Sequence, residues 1–218
     1  MISVADLLKD NRAPGNYFAP ASYIRGDLEL GILENRRGDR LLALPETLVR
    51  SIYVGLERET GQASRLVLFN CGRWWGKNFF ARFSEEVSDY YGVSLNEMEM
   101  ALFLQCLREC WVAHGWGKLD FERSYEQRGF LVLTTTGSPF AEQMQNSTRM
   151  SCALEAGILS SFFSQLTGRS LHCVQTSCES IGAPTNHFVV GLKERLAPVE
   201  AFLGEGLDHA SIMARLCP

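Results

Sequence analysis

The stretch Cys152–Gly191, CALEAGILSSFFSQLTGRSLHCVQTSCESIGAPTNHFVVG, decides the fold. Its first half is apolar almost all round, which predicts a buried helix over residues 148–167, with Gly168 as its C-terminal stop. Its second half holds two short β-rich runs around Gly182, Ala183 and Pro184, which predicts a strand, a sharp turn and a returning strand. A helix followed by an antiparallel hairpin is not the repeating strand–helix unit of a parallel sheet.

The same grammar extends outward. Leu28–Pro45 gives two apolar runs around Arg37, Gly38 and Asp39, a hairpin, and Pro45 suits the first turn of a helix through about Glu57 burying Leu48, Ile52 and Leu56. From Gln62 to Tyr91 apolar residues recur at spacings of three and four, predicting a long helix with an interruption at Gly72. Ser94 and Glu97 have capping-box spacing, placing the next helix from about Leu95 to His114. A second hairpin spans Lys118–Gly137, and one or two short helices are expected in Glu194–Leu216. The fold class is α+β, with antiparallel hairpins packed against long helices. Residues 1–26, broken by Pro14, Gly15, Pro20 and Gly26, are expected to form an arm, and residues 27–218 one domain.

Composition narrows the function. A chain of 218 residues, 46% hydrophobic and 21% charged, is globular in composition. Its 21 basic and 25 acidic residues leave a net charge of −4, which offers no electrostatic footprint for nucleic acid. The N-terminus lacks a basic region followed by an apolar run, so a cytoplasmic protein is expected, with its seven cysteines reduced. Nucleotide-binding, zinc-protease and hydrolase motifs are missing.

Three features could carry chemistry. Trp74, Trp75, Phe79, Phe80 and Phe83 are too many rings for one apolar stripe, so they line either a thick core or an apolar cavity. Among them Gly72 and Gly76 have the GxxxG spacing that lets a neighbouring element approach a helix backbone. In His114-Gly115-Trp116-Gly117 the imidazole stands at a helix end, as a capping group or at the rim of a pocket. Cys106 and Cys110, one turn apart, are expected as small buried residues.

On Cys152, Gly157, Cys178, Gly182 and Phe188, together with the GWGKLDFE segment, the sequence resembles the 4-vinyl reductase domain family over residues 30–193. The resemblance implies an α+β ligand-binding fold, usually dimeric, related to vesicle-tethering subunits and to sensor domains of aromatic-responsive activators. Some members bind zinc through a helix cysteine, a glutamate and two hairpin cysteines, positions that fall here on Cys152, Gln175, Cys178 and Asn186. Two neutral amides thus stand where anionic ligands belong, and no metal site is expected. By analogy with the sensors, an aromatic pocket is expected at Trp74, Trp75, Phe79, His114 and Trp116. Other members serve chlorophyll pathways and photosystem assembly, so the implied function is a non-catalytic carrier or sensor of a tetrapyrrole, at or near a photosynthetic membrane, with assembly proteins as partners. The alternatives are an enzyme of vinyl reduction, for which the sequence offers no recognisable hydride source, and a dimeric scaffold.

Overall fold

In the computed structural model, which describes residues 15–142 and 149–217, the two later hairpins merge into one antiparallel sheet of order β4-β5-β7-β6. Its strands are β4 (Lys118–Glu122), β5 (Leu131–Thr136), β6 (His172–Ser177) and β7 (Asn186–Gly191). A smaller sheet of β1 (Ile24–Asp27), β2 (Ile32–Asn35) and β3 (Arg40–Leu41) holds the first hairpin. The helices are α1 (Pro20–Tyr23), α2 (Glu46–Thr60), α3 (Ser64–Tyr91), α4 (Met100–Ala113), α5 (Pro139–Glu142), α6 (Ala153–Thr167), α7 (Lys193–Leu196), α8 (Val199–Gly204) and α9 (His209–Leu216). The α+β expectation holds.

Strand alternation divides the core in two. Leu133, Phe188 and Val190 point to the face covered by α3, α4 and α6, whereas Val132 and Val189 point to the face covered by α7, α8 and α9. The α3–α6 crossing is close enough to bring backbones together. A Cβ added at Gly72 would lie 2.1 Å from the Leu154 carbonyl oxygen, and one at Gly157 would lie 2.1 Å from that of Phe69. The GxxxG spacing therefore marks a helix approach, and Gly72 does not interrupt α3, which runs unbroken for 28 residues.

Other local expectations shift. Leu48 and Ile52 on α2 are exposed at 45% and 52%, and the residue that α2 buries is Tyr53. The Ser94 hydroxyl donates to the Glu97 carboxylate (2.9 Å) and the Glu97 N–H to the Ser94 carbonyl (3.0 Å). That pair closes a turn ahead of α4, so the helix begins five residues later than the spacing implied. The C-terminal segment forms three short helices rather than one or two, the last capped by Asp208, which accepts from the Ser211 N–H at 2.8 Å. Tyr17, Phe18 and Tyr23, inside the expected arm, are buried in the chain's own main core, with Phe18 stacked on Phe83 at 5.7 Å. The first 14 residues of the expected arm lie outside the described residues.

Candidate ligand-binding site

One stripe of α3 carries Trp75, Phe79, Arg82, Phe83 and Glu86 at helical spacing. Opposite it, α4 presents Cys110 and its C-cap His114, and α1 supplies Tyr23. Together with Asn78 these side chains line a partly open cavity of about 180 Å³. Trp75 stacks on Phe79 with centroids 5.0 Å apart and planes 12° from parallel, and Phe79 meets His114 edge-on at 6.2 Å.

About half of the lining is polar, contributed by Asn78, Arg82, Glu86, His114 and the Tyr23 hydroxyl. His114 Nδ1 lies 2.8 Å from the Cys110 carbonyl, an acceptor only, so Nδ1 carries the hydrogen and Nε2 keeps a lone pair. Burial lowers the His114 pKa and keeps the ring neutral. Glu86 accepts from Asn35 Nδ2 at 3.0 Å and from the Tyr23 hydroxyl at 3.4 Å. Desolvation raises its pKa to about 7, against the attraction of Arg82, which is itself paired to Asp39 at 2.6 Å. The cavity thus offers an acceptor at His114 and, at Glu86, a carboxyl whose pKa is raised by burial, beside the rings of Trp75, Phe79 and Phe83.

Of the residues expected here, Trp75, Phe79 and His114 line the cavity. Trp116 stands behind them, 4.9 Å from His114, 5.0 Å from Trp75 and 5.6 Å from Phe79. Trp74 is elsewhere: one residue further round α3 it is 71% exposed, as the surplus of rings required of some member. Glu86, Tyr23 and Arg82 were not singled out in the sequence. Arg82 and Glu86 had a signal, the continuation of the Phe79 and Phe83 stripe by three residues, whereas Tyr23, on α1, had none.

A larger, more open groove of about 710 Å³ runs between the first half of α3, α6, β6 and the C-terminal helices. Its walls include Phe69, His172 and the cationic Arg65, Arg73 and Lys193.

The four positions of the zinc pattern do converge. Cys152 Sγ lies 3.6 Å from Cys178 Sγ and 3.6 Å from Asn186 Oδ1, and the Cys152 N–H donates to Gln175 Oε1 at 3.2 Å. Cys152 and Ser180 hydrogen bonds lower the Cys178 pKa, while that of Cys152 is raised. Glu155, buried one turn along and pushed up to about 8 by desolvation, adds a carboxyl that donor spacing in sequence did not reveal. The donor set does not fit zinc. Two thiols face two neutral amides, and among the described residues no third histidine, cysteine or acid reaches within 4.8 Å of both.

Helices laid over an antiparallel sheet, with a small cavity between two of the helices, make an α+β fold with room for a small ligand. Residues 131–192, spanning β5 to β7, match the model of the V4R domain, within the region over which the cysteine–glycine pattern resembles the 4-vinyl reductase domain family. Among solved structures, the phenol-responsive sensory domain of the transcription activator PoxR with phenol shares the fold at TM-score 0.65 and 13% identity, over 84% of this chain and 92% of that one. A trafficking protein particle complex subunit 3 from Naegleria fowleri, covalently bound to palmitic acid, superposes at TM-score 0.52 and 13% identity, over 68% of this chain and 95% of that one. A vinyl-4-reductase family protein from Methanocaldococcus jannaschii gives TM-score 0.46 and 13% identity, over 69% and 82%. No curated protein matches the sequence. No helix among the described residues is long and apolar enough to cross a membrane.

Proposed function

We propose that the chain is a non-catalytic sensor or carrier that binds a small single-ring aromatic molecule bearing a hydroxyl, between α3 and α4. The observation that carries the reading is the cavity itself, about 180 Å³, in which the rings of Tyr23, Trp75, Phe79 and Phe83 stand beside the polar groups of His114, Glu86, Arg82 and Asn78. An apolar cavity of roughly 150 Å³ accepts benzene, so a phenol-sized ring suits the space, and a hydroxyl can donate to His114 Nε2. The phenol bound by the similarly folded PoxR domain supports the same chemical class.

A tetrapyrrole is several times too large for this cavity. The groove of about 710 Å³, with Arg65, Arg73 and Lys193 to meet propionate groups, favours that second reading, and a role in chlorophyll handling or photosystem assembly at a photosynthetic membrane depends on it. We also propose that the chain acts as a homodimer.

Titration with phenol and cresols, following tryptophan emission from Trp75 and Trp116, separates the readings. Saturable quenching by phenols, weakened about tenfold or more in His114→Ala for the loss of one hydrogen bond, supports the cavity. Quenching and Soret shifts only with chlorophyllide or protochlorophyllide, weakened in Arg73→Ala, support the groove. No saturable change with any of these compounds overturns both.

A further inference from the structure

On the other face of the sheet, away from the aromatic cavity, three potential metal ligands meet. Glu122 ends β4, His187 is the second residue of β7 and His209 opens α9. Glu122 pairs with Val132 in the ladder, and Val132 with Val189, so all three positions share with His187 the face that α9 covers. The imidazoles stack with centroids 4.0 Å apart, and His209 Nε2 lies 3.7 Å from Glu122 Oε2. Among the described residues this is the one group of three His, Cys, Asp or Glu side chains whose ligand atoms all lie within 4.8 Å of one another.

Hydroxyl groups set the tautomers. The Ser177 hydroxyl donates to the Thr185 carbonyl at 2.8 Å, so toward His187 Nδ1, 2.7 Å away, it can only accept. Nδ1 of His187 therefore carries the hydrogen and Nε2 the lone pair. His209 Nδ1 has the same kind of partner, Thr176 Oγ1 at 2.7 Å, whose proton faces the His187 carbonyl at 3.5 Å. His209 Nε2 is buried with no hydrogen-bond partner, a state that costs free energy unless something occupies the lone pair. Metal-bound histidines are held in just this way, one nitrogen on the ion and the other donating to an oxygen behind it.

We propose that Glu122, His187 and His209 bind a divalent transition-metal ion of the Zn²⁺ class. Two imidazoles and one carboxylate suit zinc with a fourth position open to water or an added ligand. Small side-chain rotations bring ligand atoms now within 4.8 Å to the roughly 3.3 Å separations of a tetrahedral site with metal–ligand distances near 2.0–2.1 Å. The ion would clamp α9, and with it the C-terminal helical layer, onto the sheet. It uses none of the residues of the cysteine pattern.

Calorimetric titration of chelator-treated full-length protein with Zn²⁺ is expected to show one site and a rise in Tm that EDTA reverses. His187→Ala and His209→Ala should abolish both effects while keeping the wild-type Tm in EDTA. Ser177→Ala, which removes only the group behind His187, should weaken binding about 10–100-fold. Co²⁺ in the site should give ligand-field bands without thiolate charge transfer. The Cys152→Ser, Cys178→Ser double variant should bind as wild type does. No stoichiometric binding overturns the proposal, and so does binding that survives His209→Ala but is lost in the double cysteine variant.

Discussion

Glu86 is 3% exposed, yet it is a carboxyl among aromatic rings, and its proton is part of the fold's free energy. Its pKa is raised from an ordinary 4.5 to about 7, chiefly by desolvation. A group raised on folding contributes stability that is fully present below its unfolded pKa and lost as pH rises through the folded one. Glu155, raised to about 8, acts in the same direction, and His209, lowered from 6.5 to about 4, acts in the opposite one. Glu86→Gln keeps an acceptor for Asn35 and reverses the bond to Tyr23, whose hydroxyl then accepts from the amide, without the ionisation. It should melt near the wild-type temperature at pH 4.5 and at least about 3 °C above it at pH 8. A Tm difference between the two proteins that does not change with pH would rule out a titrating Glu86. This residue was invisible in the sequence for a physical reason: the segment Ser84-Glu85-Glu86 has the composition of a solvated helix face, and only the packing of β2 and α1 against α3 decides that Glu86 turns inward while Glu85 stays out. His114 was legible because a histidine after a helix, before a glycine, has few places to go.

At the level of elements, most of the order was legible because it rests on local chemistry. Gly168 stops α6 with φ 64°, a left-handed backbone that glycine adopts at no steric cost. The hairpins follow from turn residues between β-rich runs. The start of α4 was not legible, since Ser94 and Glu97 can satisfy each other in an isolated turn as well as in a helix. Nor was the buried face of α2, because Leu48 and Ile52 have the pattern of a core stripe, and among the described residues nothing covers them. The GxxxG spacing announced a close approach, and the partner proves to be a third glycine, Gly157, on α6. Gly157→Ala would push a methyl to 2.1 Å from the Phe69 carbonyl oxygen, which forces the helices apart, at a cost of about 3 kcal/mol. Gly55→Ala on α2, with nothing within 4 Å of the added Cβ, should instead stabilise by about 0.5–1 kcal/mol. Urea unfolding of the two variants checks the contrast; similar values would mean that α3 and α6 can separate freely.

For the whole molecule, the unexplained quantity is apolar surface. Leu28, Leu30, Leu42, Leu44, Leu48, Ile52, Leu66 and Trp74 are exposed by 98%, 70%, 74%, 52%, 45%, 52%, 62% and 71%, and all fall between residues 28 and 74. Single exposed leucines need no explanation, but eight large apolar side chains from about a fifth of the sequence do. Exposed apolar side chains also occur further along, at Met100 (61%), Val112 (49%) and Ile181 (47%), but they are spread out, and the dense group lies on β1–β3, α2 and the outer side of α3. A second copy is the occupant proposed here, and a symmetric interface would place the same residues on both sides. Sedimentation velocity over a range of concentrations should then show a dimer for the wild type. The variants Leu42→Glu and Ile52→Glu should sediment as monomers with an unchanged near-UV spectrum, because among the described residues both side chains are exposed and outside the core. A wild-type protein that stays monomeric at every concentration would remove the dimer and leave that apolar surface to a partner of another kind.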